Sequence, residues 1–350
     1  MKIGLLTYHH STNNGAMLQT YATVRALQEL GHKVLLVDIR QTEEHHSGII
    51  GLLANIVNCK RDLKIKKFKS NFYPPLSRRY YSVEELRNDP PQVDCLMVGS
   101  DQVWNPQISK DIAMAYFLDF GNEDLKRISY ASSFGLNQWP KNLAITSDVK
   151  RALNRFEALS VRETTGTNIL NETFGKNSTL VVDPTMLFCE YNELTGLIPE
   201  RNEVVCYKLN RTPEFYGNIG TVKRMTGIPV RLLNNAYPVR GLRYTYPPSI
   251  EEWIQRIGGA RYVITDSFHG TVFSILYKRD FAVITNKNGR DSRLYDLLNN
   301  LGLEERAFDS VKALQDNKRW MLPVDYSQVM LKLNMLRENS WSYIKKALVR

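Results

Sequence analysis

The stretch from Arg261 to Leu276 constrains the fold more than any other. Arg261-Tyr262-Val263-Ile264-Thr265 is β-branched and aromatic and predicts a strand, while Val272, Phe273, Ile275 and Leu276 recur at helical spacing. Asp266, Ser267, His269 and Gly270 lie between them, an acid, a hydroxyl, an imidazole and a glycine in one turn. In open α/β sheets, ligands bind outside the carboxyl ends of the strands, where such strand-to-helix turns lie. The start of the helix offers unpaired N–H groups and a partial positive charge, which suit an anion.

The remainder repeats the strand–helix rhythm. Residues 2–7 read as a strand, about 16–30 as a helix stopped by Gly31, and 33–39 as a second strand. This is a βαβ opening without G-x-G-x-x-G, so a dinucleotide fingerprint is absent. Residues 43–90 read as irregular and basic, with helical patches. Strands follow at 94–98, 127–131, 159–163 and 179–182, with helices at 145–157 and 164–173. The rhythm restarts near 193–202, with strands at 203–209, 229–233, 261–265 and 281–284 and helices at 213–226, 249–258 and 292–301. The expected division is a first domain over 1–197 and a second over 198–325, with an amphipathic helix over 326–350 packing back on the first.

The 350 residues suffice for two domains, and the net charge of +10 favours anionic partners: phosphate substrates, nucleic acid or an anionic membrane surface. Cys59, Cys95, Cys189 and Cys206 are scattered without metal or redox spacing, as for reduced, buried thiols in a cytoplasmic protein. Residues 1–7 read as a strand and not a signal sequence, and no apolar run of about 18 residues is present to span a membrane. The apolar 49–57 stretch and the basic segment 60–69 read as a solvated surface helix or as a contact with a membrane surface.

Each polar turn admits two readings. Asn13-Asn14-Gly15 holds an anion or a sugar hydroxyl, or simply caps a helix. Asp101, after the apolar strand 94–98, is a candidate general base or an N-cap. Trp104 offers a face for stacking on a sugar, or is core. Arg162 at a strand end is suited to bidentate binding of phosphate or carboxylate, or to an ion pair with a neighbour. Arg290 and Arg293, with Lys287, form an anion clamp beside His269 or a solvated loop. His269 is the strongest candidate. It has no second histidine at metal spacing, and no G-x-S-x-G elbow accompanies it, so neither a metal site nor a serine hydrolase is expected.

Together these motifs resemble the polysaccharide pyruvyl transferase family over roughly 1–310. The resemblance rests on Asn13-Asn14-Gly15-Ala16 with Gln19, Gly99-Ser100-Asp101-Gln102-Val103-Trp104-Asn105, and Ser129-Tyr130-Ala131-Ser132-Ser133-Phe134-Gly135. It extends through Ser160-Val161-Arg162-Glu163, Val182-Asp183-Pro184-Thr185, Thr265-Asp266-Ser267-Phe268-His269-Gly270 and Arg293-Leu294 with Leu297-Leu298. It implies an α/β protein of two Rossmann-like domains facing across a cleft, as in GT-B glycosyltransferases, with the acceptor on the first domain and the donor on the second. It implies transfer of a pyruvyl group from phosphoenolpyruvate to two hydroxyls of one sugar, with no metal or other cofactor. The chain departs from the pattern at Ser267, where some members carry arginine, so the donor anchor is expected at Arg162, Arg290 or Arg293.

On this reading His269 is the acid and Asp101 the base. Ser267 and Gly270 join the three arginines at the donor, and Asn13, Asn14, Gly15 and Trp104 hold the acceptor. The acceptor is expected to be a surface-polysaccharide intermediate, lipid-linked at the cytoplasmic membrane face, with the basic segment 60–69 docking there. The alternatives are a GT-B glycosyltransferase using a nucleotide sugar and a non-catalytic binder of anionic polymers. No nucleic-acid motif supports nucleic acid as a partner.

Overall fold

The computed structural model describes residues 1–41, 51–141, 143–285 and 292–349, the side chains of 51–58 excepted. The described chain forms two compact units, the first from within 1–47, 72–188 and 334–350 and the second from within 48–71 and 189–333. The division thus falls at 188 where the sequence suggests 197. The long terminal helix Tyr326–Ala347 contributes its residues from 334 onward to the first unit, and most of helix Gly51–Phe72 belongs to the second.

The first unit is built on β1 (Lys2–Leu6), β2 (Lys33–Ile39), β3 (Leu76–Tyr80), β4 (Cys95–Val98) and β5 (Lys126–Ser129). All are parallel, in the order β3-β2-β1-β4-β5. A short parallel pair, β6 (Ser160–Val161) and β7 (Thr179–Leu180), continues past β5 through isolated bridges at Ile128–Ala158 and Ser132–Val161. Every residue of β4 is buried, as expected for a parallel strand covered on both faces. Helix Asn14–Glu29 starts where the Asn13 side chain accepts from the backbone N–H groups of Gly15 and Ala16. It buries Leu18, Val24 and Leu27 completely, each contributing about 1.5–3 kcal/mol over leaving it in water. The same helix carries buried Gln19, whose Nε2 donates to Thr7 Oγ1 at 2.7 Å, and that hydroxyl donates to Ser100 O at 3.0 Å. The ends of β1 and β4 are therefore tied by one polar chain. From the terminal helix, Ser340 Oγ accepts from Val182 N and Tyr343 Oη donates to Ser129 O, both at 2.9 Å.

The second unit uses β8 (Arg201–Tyr207), β9 (Val230–Leu233), β10 (Arg243–Thr245), β11 (Ala260–Thr265), β12 (Asp280–Ile284) and β13 (Ala307–Phe308). They are all parallel, in the order β10-β9-β8-β11-β12-β13. Helix Ile250–Gly258 is capped by Ser249, has Glu251 and Glu252 in its first turn, and buries Trp253 edge-on against Tyr207 and Phe273, each at 5.2 Å. Both units thus share the doubly wound order, with the chain reversing direction across the sheet between β1 and β4 in one and between β8 and β11 in the other. Those reversals open the crevices in which such sheets bind ligands.

The sequence reading missed β3, β10, β13 and the full length of helix Gly51–Phe72. β3 and β10 are edge strands with several exposed residues, and β13 has two residues, so none shows the buried apolar run that marks an inner strand. Cys95 and Cys206 are buried as expected, but Cys59 is exposed.

One charged group braces the first unit. Asp38 on β2 accepts from Arg40 Nε at 2.8 Å and from Arg79 Nε on β3 at 3.2 Å, and His9, just past β1, places Nε2 3.2 Å away. Burial pushes this carboxyl up, but hydrogen bonds and charge from His9 and Arg40 outweigh it and hold it well below the ordinary carboxylate range. A depressed folded-state value contributes stability above the unfolded value and loses it as pH falls through the folded one. Asp38→Asn is therefore expected to destabilise the protein at neutral pH, with the gap to wild type narrowing below about pH 4, where unfolded carboxyls protonate. Urea denaturation across that range checks this, and a gap independent of pH would refute the ionic role.

Candidate active site

In the first unit, β4 runs into Gly99-Ser100-Asp101 at the crevice. Asp101 has φ 78°, a left-handed conformation that aspartate tolerates when its side chain bonds locally, and here Oδ1 accepts from Gln102 N at 2.9 Å. The Asp101 carbonyl accepts from Val103 N at 2.7 Å and Ser133 N at 3.0 Å, so the neighbouring strand end holds the turn in place. Gly135 follows with φ 60°, and a Cβ there would run into the Gln102 side chain. The Gly99–Asn105 and Ser129–Gly135 motifs are therefore two halves of one packed corner.

Arg162 occupies the middle of this corner. Its side chain is fully buried and faces Asp183 Oδ2 at 2.7 Å, Asp101 Oδ1 at 3.3 Å and Glu163 Oε2 at 3.6 Å. Ser100 Oγ donates to Asp183 Oδ2 at 2.9 Å and accepts from the guanidinium at 3.2 Å. Asp183 Oδ1 also accepts from Thr185 N and Thr185 Oγ1. Burial opposes the Arg162 charge, but Asp183, Asp101 and Glu163 overcome it and push the guanidinium up. The expectation that Arg162 grips the donor is corrected here, because a guanidinium without exposed surface is spent on protein carboxylates. Asp101 keeps 19% of its side chain exposed, which leaves it able to meet a substrate.

Nearby, Tyr8 Oη donates to Gln102 O at 3.2 Å, and burial followed by the Asp101 charge pushes this phenol above its ordinary range. Asn13 uses its side-chain oxygen as a cap, Asn14 is half-buried and Gly15 is buried in the first turn. The sugar-stacking role expected of Trp104 is also corrected. Its ring has no exposed surface, stacks on Phe117 at 5.7 Å and donates Nε1–H to Tyr116 O at 3.0 Å.

In the second unit, β11 ends at Thr265 and helix Phe268–Leu276 begins after two intervening residues, Asp266 and Ser267. Asp266 accepts from Leu209 N at 2.6 Å, Asn210 N at 2.9 Å and Lys208 Nζ at 2.9 Å, joining the ends of β11 and β8 across the crevice. Ser267 caps the helix by accepting from Gly270 N at 3.3 Å, so its hydroxyl is a structural cap within this turn. Gly270 has no room for a Cβ, which would meet Thr265 Oγ1. His269 stands in the first helical turn, 8% exposed, edge-on to the Phe268 ring at 5.3 Å. Arg293 lies half-buried in the first turn of helix Ser292–Leu301. Arg290 and Lys287 lie outside the described residues.

The sequence reading overlooked Lys208 and gave Asp183 and Ser100 no role. Each is a polar residue directly after an apolar strand or extended run, the same signal that marked Asp101 and Asp266. Among the described residues, no group of three or more His, Cys, Asp or Glu side chains could hold a metal ion.

The sequence profile of the polysaccharide pyruvyl transferase family matches residues 13–288. No curated protein matches the chain. Among solved structures, the chain resembles the S. aureus MnaA–UDP co-structure, with TM-score 0.59 and 12% identity over 99% of this chain and 96% of that one. It also resembles Arabidopsis thaliana UGT89C1 complexed with UDP-L-rhamnose, with TM-score 0.54 and 11% identity over 99% of each chain. At such identity the likeness concerns the fold, which is α/β and GT-B-like, built from Rossmann-like units.

If Arg162 is the counter-charge of the corner, Arg162→Met leaves buried carboxylates unpaired and is expected to cost about 3–5 kcal/mol of stability. Chemical denaturation measures this. Wild-type stability with weakened donor binding would return Arg162 to the role of donor ligand.

Proposed function

Because the chain belongs to the polysaccharide pyruvyl transferase family, and is thus a transferase, we propose that it moves a pyruvyl group from phosphoenolpyruvate to two hydroxyls of a sugar in a surface-polysaccharide precursor. The products are a pyruvate ketal and phosphate. The observation that supports this beyond the family match is the chemistry at the two crevices. One presents a carboxylate held in a left-handed turn, and the other an imidazole at a helix N-terminus. Each role is assigned on its own unit.

His269, as imidazolium, delivers a proton to the methylene carbon of phosphoenolpyruvate, turning it into a methyl group and leaving C2 electrophilic. The helix N-terminus favours the donor's negative charge, and Arg293, with Arg290, supplies further positive charge. Asp101 accepts the proton of the first attacking hydroxyl as its oxygen bonds to C2. The C2–O bond to phosphate then breaks, the second hydroxyl closes the ketal, and its proton leaves with phosphate. Arg162 acts through Asp101 by fixing its carboxylate, and the exposed Asn13, whose oxygen caps the helix, offers its amide N–H groups with Asn14 to acceptor hydroxyls.

His269→Gln is expected to lower turnover about 10²–10⁴-fold while phosphoenolpyruvate still raises the melting temperature. Ordinary turnover with merely weaker donor binding would remove the acid role. Stabilisation by a UDP-sugar and not by phosphoenolpyruvate would replace the whole reading with a nucleotide-sugar glycosyltransferase.

The acceptor is proposed to be lipid-linked, with the enzyme at the cytoplasmic membrane face. No helix among the described residues is long and apolar enough to cross a membrane. Helix Gly51–Phe72 does expose Lys60, Lys66 and Lys67 beside Leu63, which is 60% exposed. At about 1 kcal/mol per lysine near an anionic surface, replacing all three by serine is expected to weaken binding to phosphatidylglycerol-containing vesicles by about two orders of magnitude. Co-sedimentation reads the effect, and equal binding by the variant would exclude this helix as the contact.

A further inference from the structure

The second unit contains a cavity of about 180 Å³ at the carboxyl edge of its sheet, which the roles above leave unused. It lies past the ends of β8, β12 and β13 and is closed on one side by the first turns of helix Pro213–Thr226. Phe215, Ile284 and Val311 form an apolar floor. Glu214, Asn218, Asp309 and Ser310 supply polar groups, with Thr285 beside them.

Charge and size narrow what this cavity takes. Lys208 also lines it, but its Nζ is engaged by Asp266 at 2.9 Å. Glu214 and Asp309 have no ion-pair partner among the described residues and are both exposed. Among the described residues the lining therefore carries two carboxylates outside any ion pair, which suit hydrogen-bond donors such as hydroxyls. A volume of about 180 Å³ falls below the ~300–1,000 Å³ of sites for drug-sized ligands and suits one ring rather than a nucleotide sugar. An apolar floor under a rim of acceptors matches a ring with one C–H face and several hydroxyls. Carboxylates are the strongest acceptors for those hydroxyls; Ser310 Oγ accepts from Ala313 N at 3.2 Å and Asn218 Nδ2 donates to Glu214 O at 2.9 Å, which leaves the Ser310 O–H to donate and the Asn218 oxygen to accept.

We propose that this cavity is a subsite for one uncharged pyranose ring of the saccharide acceptor, with Glu214 and Asp309 receiving its hydroxyls. The assignment rests on the proposed transfer to a saccharide and adds, to the acceptor contacts proposed at Asn13 and Asn14, a contact for one of its rings on the second unit. Lys208 links the two places, since it lines the cavity and binds Asp266, three residues before His269. A ring seated here adjoins the turn that carries the proposed acid.

The test is methyl NMR of the full chain with labelled isoleucine and valine, titrated with the methyl pyranosides of glucose, galactose and mannose, and separately with uridine and phosphoenolpyruvate. At least one pyranoside is expected to shift the Ile284 and Val311 methyl signals. Glu214→Gln and Asp309→Asn, both surface changes, are each expected to weaken that binding about tenfold, the loss of a charge-assisted hydrogen bond. Three outcomes overturn the proposal: no pyranoside shifts these methyls, uridine alone shifts them, or both variants bind like wild type. Melting temperatures with phosphoenolpyruvate on the same samples test the donor separately. Loss of that stabilisation with intact pyranoside shifts would defeat the pyruvyl-transfer reading and leave the sugar subsite standing.

Discussion

The first unit's crevice depends on one buried guanidinium. Arg162 carries a single positive charge among three carboxylates, with no exposed side-chain surface. Buried ions are costly unless paired and hydrogen-bonded, and removing one partner leaves the others uncompensated. Around this charge the chain closes Gly99–Asp101, Ser160–Glu163 and Asp183–Thr185 into one corner. The left-handed turn at Asp101 is held by the same contacts, so the geometry of the proposed base and the integrity of the unit are coupled.

The second unit solves a similar problem with a carboxylate. Asp266 satisfies two backbone N–H groups and the Lys208 ammonium where β8 and β11 diverge. Because neighbouring parallel strands at the reversal send their connections to opposite faces, their ends need a polar tie that no backbone ladder supplies. That tie also sets the entry of helix Phe268–Leu276, and with it the place of His269. The acid needed for the tie is thus unavailable for catalysis, while the imidazole it positions remains at the crevice.

Both corrections to the candidate site have the same cause. Trp104 and Arg162 carry side chains suited to ligands, and their turns lie at the correct edge of the sheet. Phe117 and Tyr116 enclose the indole, and the partners of Arg162 enclose its guanidinium. Their type and position along the strand end could not distinguish a residue facing the crevice from one beneath it. Ser267 shows a milder case, since its hydroxyl caps the helix that the sequence already places there.

The sequence by itself determined the βαβ rhythm, the inner strands, the polar turns at their carboxyl ends and the family. These depend on local patterning: buried parallel strands need unbroken apolar runs, and helices declare their caps. Helices Pro213–Thr226 and Ser292–Leu301 have the bounds that their patterns indicate. Tertiary structure alone decided the short or exposed edge strands and which polar groups are consumed by one another. Arg162 meets Asp183 across 21 residues of chain and Asp101 across 61, and Lys208 meets Asp266 across 58. Whether such a charge is free or neutralised depends on distance in space, which folding sets and sequence separation does not reveal.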